Sequence, residues 1–278
     1  MVSKLKCPVV DDNYIDEVVV ERSKGVNKSF FDRIRLVWKA RARLYEIYKG
    51  DPEILKSWLN DEAEKGALNN LYNNHSNASR HGSAIRSIRE HDMQLCPACG
   101  ELGTPNTLDH YLPKDIYPEF SIFPLNLFPM CDICQIKKGK KTTSTSNRRL
   151  FIHPYYADFI EKQVVFLNIS GDFKNPVAEL VLDSGLSADE RRLLGSHVTE
   201  LEIDSRFIKF FSVEYIRLLR VVNKIRSTGL DVRSSLAIFE ASALLKGCNC
   251  WEHIFYHGVT KNESLMEYLC GGELPEYL

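Results

Sequence analysis

The chain has 278 residues, 44% of them hydrophobic, with 36 Lys and Arg against 37 Asp and Glu and a formal net charge of −1. That balance rules out no class of partner, but it requires any phosphate-binding surface to be local rather than global. No run of about 18 apolar residues is long enough to span a membrane, and Met1 to Asp12 lack the basic-then-apolar layout of a secretory leader. The expectation is a cytoplasmic protein whose eight cysteines stay reduced.

Taken in order, the first 28 residues are mixed and polar, and the β-branched run Val18 to Val20 reads as an arm or a strand. Ser29 to Tyr48 is a helix, because Phe30, Ile34, Val37, Trp38, Leu44, Tyr45 and Tyr48 recur at intervals of three or four. Arg33, Arg35, Lys39 and Arg43 form its solvated face. Asp51-Pro52 has the form of an N-cap followed by proline and predicts a second helix to about Tyr72. Asn73 to Gly82 is a loop and Ser83 to His91 a short helix. From Cys96 to Pro129 cysteines, glycines and prolines concentrate and helical periodicity disappears. Two strands follow, Val164 to Ile169 and Val177 to Leu182, and the remainder is helical. Ser187-Ala-Asp-Glu190 is a capping box, and Phe207 to Ile225 and Val232 to Leu245 are amphipathic helices.

Cys96-Pro-Ala-Cys99 and Cys131-Asp-Ile-Cys134 are two C-x-x-C turns. Each such turn presents two thiolates to one ion, and two turns complete a tetrahedral zinc site. A closed four-cysteine site leaves no position for water, so the zinc is expected to be structural and any chemistry must come from the residues between the turns. There stands Thr107-Leu108-Asp109-His110-Tyr111-Leu112-Pro113-Lys114, with Leu125-Asn126-Leu127 before the second turn and Gln135-Ile-Lys-Lys138-Gly139 after it. On a strand, Asp109 and His110 project to opposite sides. A histidine titrating near pH 6.5 is a suitable base at neutral pH, and a carboxylate with an amide oxygen suits a hard divalent ion.

This order of C-x-x-C, Asp-His, Asn-Leu and a second C-x-x-C resembles the zinc-bearing HNH endonucleases over about Cys96 to Gly139. Tyr117 to Ser121 and Phe151 to Tyr155 are similar to HNH proteins of bacterial defence systems. The resemblance implies a ββα-metal finger, a hairpin followed by a helix that clasps one divalent ion, Mg²⁺ or Mn²⁺. It implies that His110 is the general base, that Asp109 is a metal ligand, and that Asn126 orients the histidine or braces its loop. The family's second metal ligand, usually asparagine or histidine, falls on Gln135, whose stem is one methylene longer. His153 stands either near the metal or as a packed histidine, and the packed reading is favoured.

Lys137, Lys138, Lys140 and Lys141, with Arg148 and Arg149, are uninterrupted by acidic residues, and with Lys114 they form the expected nucleic-acid contact. Cys7, Cys248, Cys250 and Cys270 lack ligand partners and are read as small buried apolar residues. His253 and His257 are read as core. The expected fold is α+β: a mostly helical chain with a central ββα-metal finger stapled by the cysteine site. The expected regions are 1–91, mainly helical; 92–156, the finger; and 157–278, helical with two strands. The expected function is cleavage of DNA in defence against foreign DNA. A catalytically decayed zinc-ribbon binding module and an RNase effector are the alternatives. The helical regions are expected to bind a partner, an ATPase or sensor protein, or a second copy of the chain.

Overall fold

A computed structural model describes residues 3–59 and 61–275. The fold is α+β, about half helical, with two small antiparallel hairpins. The chain divides into two units. One comprises Leu5–Gln94 and Thr104–Ala157. The other comprises Met1–Lys4, Leu95–Gly103 and Asp158–Leu278. Among the described residues, no helix is long and apolar enough to cross a membrane.

The first of these units begins with α1, Tyr14–Glu21, which replaces the expected arm or strand. Tyr14, Ile15, Val18 and Val19 are all buried. Their spacing gives a single helical face, and burying it outweighs the strand preference of three consecutive valines. Helix α2, Lys28–Ile47, buries Phe31, Ile34, Trp38, Ala42 and Tyr45 at intervals of three and four. This stripe lies beside the expected one, for Val37 is 47% exposed and Tyr48 39%. Asp16 on α1 accepts from Arg35 at 2.6 Å and also pairs with Lys39.

The helix expected from Asp51 closes only one turn, with the amides of Ile54 and Leu55 both donating to the Asp51 carbonyl. The chain then runs irregularly, burying Leu55 and Leu59 singly; Asn60, within the expected helix, lies outside the described residues. Helix α3, Glu62–Asn73, starts instead at Asp61, whose carboxylate accepts from the Glu64 amide. Such a cap contributes about 1 kcal/mol. Helix α4, Arg80–Arg89, begins earlier than expected, capped by Ser79. A Cβ on Gly82 would lie 1.9 Å from the Ser76 carbonyl oxygen, so this turn tolerates only glycine.

Strands β1, Thr107–His110, and β2, Leu127–Met130, pair antiparallel with Asp109 opposite Phe128 and His110 opposite Leu127. Helix α5, Asp132–Lys138, follows directly and ends at Gly139, where φ is +51°. The sixteen-residue span between the strands is almost wholly buried.

In the second unit, β3, Val165–Ser170, and β4, Val177–Leu182, form a hairpin. Val165, Leu167 and Ile169 alternate inward, as a half-buried strand requires. The capping box at Ser187 and Glu190 opens α6, Ala188–Glu200, as its sequence predicts. Helices α7, Ile203–Ser227, α8, Val232–Leu244, α9, Trp251–Thr260, and α10, Glu263–Gly271, complete the unit. Phe207, Phe211, Trp251 and Phe255 fill its core. Gly258 on α9 admits Leu167 of β3, whose carbonyl oxygen would stand 2.9 Å from an added Cβ. His253 is buried and meets the Gln163 side chain, while His257 is half-buried against Glu240. Of the four unassigned cysteines only Cys250 is fully buried. Cys248 is half-buried, and Cys7 and Cys270 are exposed, so those three are not the core residues that the sequence predicts.

Candidate active site and metal centre

The ligand atoms of Cys96, Cys99, Cys131 and Cys134 all lie within 4.8 Å of one another, close enough to hold one metal ion. The first turn is shaped by its backbone: the Gly100 amide donates to the Cys96 carbonyl at 2.8 Å, and Gly100 sits at φ +72°. Trp251 donates its indole N–H to the Cys99 carbonyl at 2.7 Å, and His197 Nε2 meets the Ala98 carbonyl at 2.7 Å. Arg206 donates to Cys99 Sγ at 3.4 Å and pairs with Glu101. A guanidinium aimed at a thiolate offsets part of the negative charge that four thiolates bring to a divalent ion. Cys131 is the N-cap of α5, and its carbonyl accepts from the Gln135 amide.

Asp109 and His110, the last two residues of β1, are both buried. His110 Nε2 lies 2.8 Å from the Ser121 carbonyl oxygen. A carbonyl can only accept, so Nε2 carries the proton and Nδ1 keeps the lone pair. Burial lowers the histidine's pKa to about 3, which keeps the ring neutral but makes it a weaker base than the one expected to titrate near 6.5. Tyr72 meets it edge-on, with ring centroids 4.5 Å apart.

Burial pushes the Asp109 carboxyl above its ordinary range, and the Lys138 ammonium pulls against that shift. Lys138 Nζ lies 2.9 Å from Asp109 Oδ2 and donates to the His110 carbonyl at 2.7 Å. Lys138 is 1% exposed, so it does not join the phosphate-facing surface expected of it. The reason is local: α5 is turned so that Cys134 faces inward, and Lys138, one turn later, shares that face.

Asn126 is completely satisfied. Its Oδ1 accepts from the Leu112 amide at 2.8 Å and the Tyr45 hydroxyl at 3.0 Å. Its Nδ2 donates to the carbonyls of Leu112 and Phe120 at 3.0 and 3.1 Å. Among the described residues its side-chain bonds thus hold the loop after His110, with none to the imidazole. His153 continues the network: Nδ1 accepts from the Tyr155 amide, so Nε2 donates to the Tyr45 oxygen at 3.1 Å. This places His153 as a packed histidine behind Asn126. Sequence reasoning missed Tyr45, Ser121 and the inward role of Lys138.

Gln135 Nε2 donates to the Leu108 carbonyl at 3.2 Å, which leaves the amide oxygen as an acceptor. Lys140 pairs with Asp115 at 2.6 Å, and Lys114 reaches Asn73 at 3.2 Å. Arg148 and Arg149 lie 3.7 and 3.9 Å from Glu53 and Asp51. The fold therefore brings to this run the acidic partners that its local sequence lacks. Lys137 is half-buried and Lys141 exposed.

A hard divalent ion fits the donors at Asp109 only sparingly. Asp109 Oδ2 already meets the Lys138 ammonium at 2.9 Å, so an ion would share the carboxylate with Lys138, and Gln135 offers one amide oxygen. Two protein oxygens suffice for an ion that keeps water and phosphate oxygens as its other ligands.

No protein-family model and no solved structure matches the chain. It is similar to protein ea31 of Escherichia phage lambda, with 38% identity over 81 residues. That stretch is 28% of this chain and spans 27% of the phage protein's length.

Proposed function

We propose that this chain is a metal-dependent nuclease of the HNH type that hydrolyses phosphodiester bonds in DNA. The observation that carries this reading is the geometry of His110: Nε2–H is bonded to the Ser121 carbonyl, which leaves Nδ1 its lone pair, at the end of β1 and next in sequence to the buried Asp109. The order of hairpin β1–β2 and helix α5 is that of the finger implied by the resemblance. The four-cysteine cluster holds a structural zinc in this reading.

In the proposed reaction His110 Nδ1 takes a proton from the attacking water. The Ser121 carbonyl fixes the ring's tautomer and angle, and the resulting imidazolium is held by that same bond. Asn126 keeps the backbone at Leu112 in place so that the imidazole does not swing away. Asp109 and Gln135 would hold a divalent ion, which would supply positive charge against that developing on the phosphate. Lys138 stops the Asp109 carboxylate from rotating and adds positive charge behind it.

A second reading, a zinc-bearing nucleic-acid-binding module without catalysis, is favoured by one observation: the Lys138 ammonium already neutralises the carboxylate assigned to the ion. Incubating supercoiled plasmid with Mg²⁺ or Mn²⁺ separates the two. Nicking by the wild type that is lost in an Asp109→Asn protein shown to remain folded supports the nuclease. Binding without nicking under either ion supports the module.

A further inference from the structure

We propose that the cleft beside Tyr72 is a subsite for one unpaired nucleotide of the strand being cut. This rests on the nuclease reading above, because Tyr72, which lines the cleft, also touches the proposed base. Tyr72, from the last turn of α3, forms one wall and touches His110 edge-on at 4.5 Å between centroids. The opposite walls come from Arg89 at the end of α4, His91, Asn106 and Thr107 before and within β1, and Gln135 on α5. The space within the open cleft is about 330 Å³. That is near the small end of ligand sites, roughly 300–1,000 Å³, and suits one nucleotide rather than a base-paired stack.

The chemistry of the walls matches a nucleotide in its separate parts. Arg89 is exposed, carries a permanent positive charge, and of its five donors places one on the Tyr72 hydroxyl at 3.3 Å. A phosphate oxygen can be bound by the remaining fork. No carboxylate lines the cleft among the described residues. The Tyr72 ring is half-buried, with the Lys114 ammonium 5.9 Å from its centroid, so it is held in place as a stacking surface with a second cation near it. Asn106 uses Oδ1 to accept from the Asp132 amide at 3.2 Å, which orients its amide hydrogens for the edge of a base. Aromatic stacking with adjacent cations is how single strands are held without regard to sequence. A base still paired in a duplex cannot present its face to Tyr72.

The test is fluorescence anisotropy with a short labelled DNA strand and the same sequence as a duplex, with no divalent ion added so that the cysteine-bound metal is undisturbed and nothing is cut. The strand should bind more tightly than the duplex. Arg89→Ala should weaken strand binding and lower the slope of log K against log salt by about 0.7, the value for one phosphate contact on single strands. Tyr72→Leu should weaken it by roughly tenfold with the slope unchanged, while Tyr72→Phe binds as wild type. If Tyr72→Leu does not fold, Arg89→Ala alone decides, through its slope. Tighter binding of the duplex, or wild-type strand binding by Arg89→Ala, overturns the subsite. Nicking assays run in parallel keep the two proposals apart. The predicted binding profile without any nicking leaves the subsite standing and ends the nuclease reading. Nicking with an indifferent Arg89→Ala variant does the reverse.

Discussion

Lys138 Nζ stands 2.9 Å from Asp109 Oδ2 inside the protein, tying the end of α5 to the end of β1. Both groups are buried, and the same ammonium also holds the His110 carbonyl. Removing one member of a buried pair leaves the other charge uncompensated, which costs about 3–5 kcal/mol. Lys138→Met should lower the urea midpoint by that amount of stability. The double variant Lys138→Met with Asp109→Asn should recover most of it. If the single variant unfolds at the wild-type midpoint, the pair does not hold the hairpin to the helix.

The four cysteines should hold one zinc per chain, measurable by elemental analysis. Cys96→Ser or Cys131→Ser should lose it together with folded protein, since zinc binding and folding are coupled in small sites. Arg206 should tune that site, because it donates to Cys99 Sγ and packs over Trp251 at 5.5 Å. Arg206→Ala should weaken zinc retention against a competing chelator by roughly 10- to 100-fold. Unchanged competition would reduce Arg206 to a surface partner of Glu101.

His153 should make stability fall in mild acid. Burial holds its folded pKa at about 3, against the ordinary 6.5 in the unfolded chain. The unfolded chain therefore binds the proton more readily. The stabilising contribution is complete above about pH 6.5 and is lost as pH falls from there towards 3. His153→Gln retains a donor for the Tyr45 oxygen and removes the titration. Urea unfolding between pH 7 and pH 4 should show a shallower decline for the variant, and equal slopes would contradict the assignment.

The parts of this molecule legible in the sequence are those fixed by spacing. Two C-x-x-C turns predict a cluster whichever way the chain runs, and the four ligand atoms are together. The hairpin strands β3 and β4 and the helices α6, α7 and α8 lie close to their expected spans, and α6 opens on the expected capping box. Burial decided by partners distant in sequence was harder to read. The valines of α1 match a strand by type, and only the inward spacing of Tyr14, Ile15, Val18 and Val19 marks a helix. Asp51-Pro52 has the right residues for a helix start, and Leu55, Trp58 and Leu59 follow at helical spacing, yet the chain leaves the helix after one turn. Lys138 looked like one more surface lysine. Its position four residues after Cys134 was the available signal, since a helix that points one inward points the other inward too. The acidic partners of Arg148 and Arg149 are about a hundred positions away, beyond any local reading.

Gln135 should set the choice of ion. Its amide oxygen hangs on a longer stem than asparagine's, and Mg²⁺ demands near-octahedral contacts at about 2.0–2.1 Å. Nicking should therefore be weak in Mg²⁺ and stronger in Mn²⁺. Gln135→Asn should keep or raise it, and Gln135→Ala should lower it. An alanine variant that cuts as well as wild type would remove Gln135 from the ligand set.

The most direct measurement compares wild type with His110→Ala in nicking supercoiled plasmid under Mn²⁺, after both are shown to carry equal zinc and to unfold at similar midpoints. A general base contributes about 10²- to 10⁴-fold, so the variant's rate should fall by at least about a hundredfold while its zinc stays bound. Nicking by His110→Ala at the wild-type rate would contradict the mechanism, and absence of nicking by both proteins would contradict the nuclease itself.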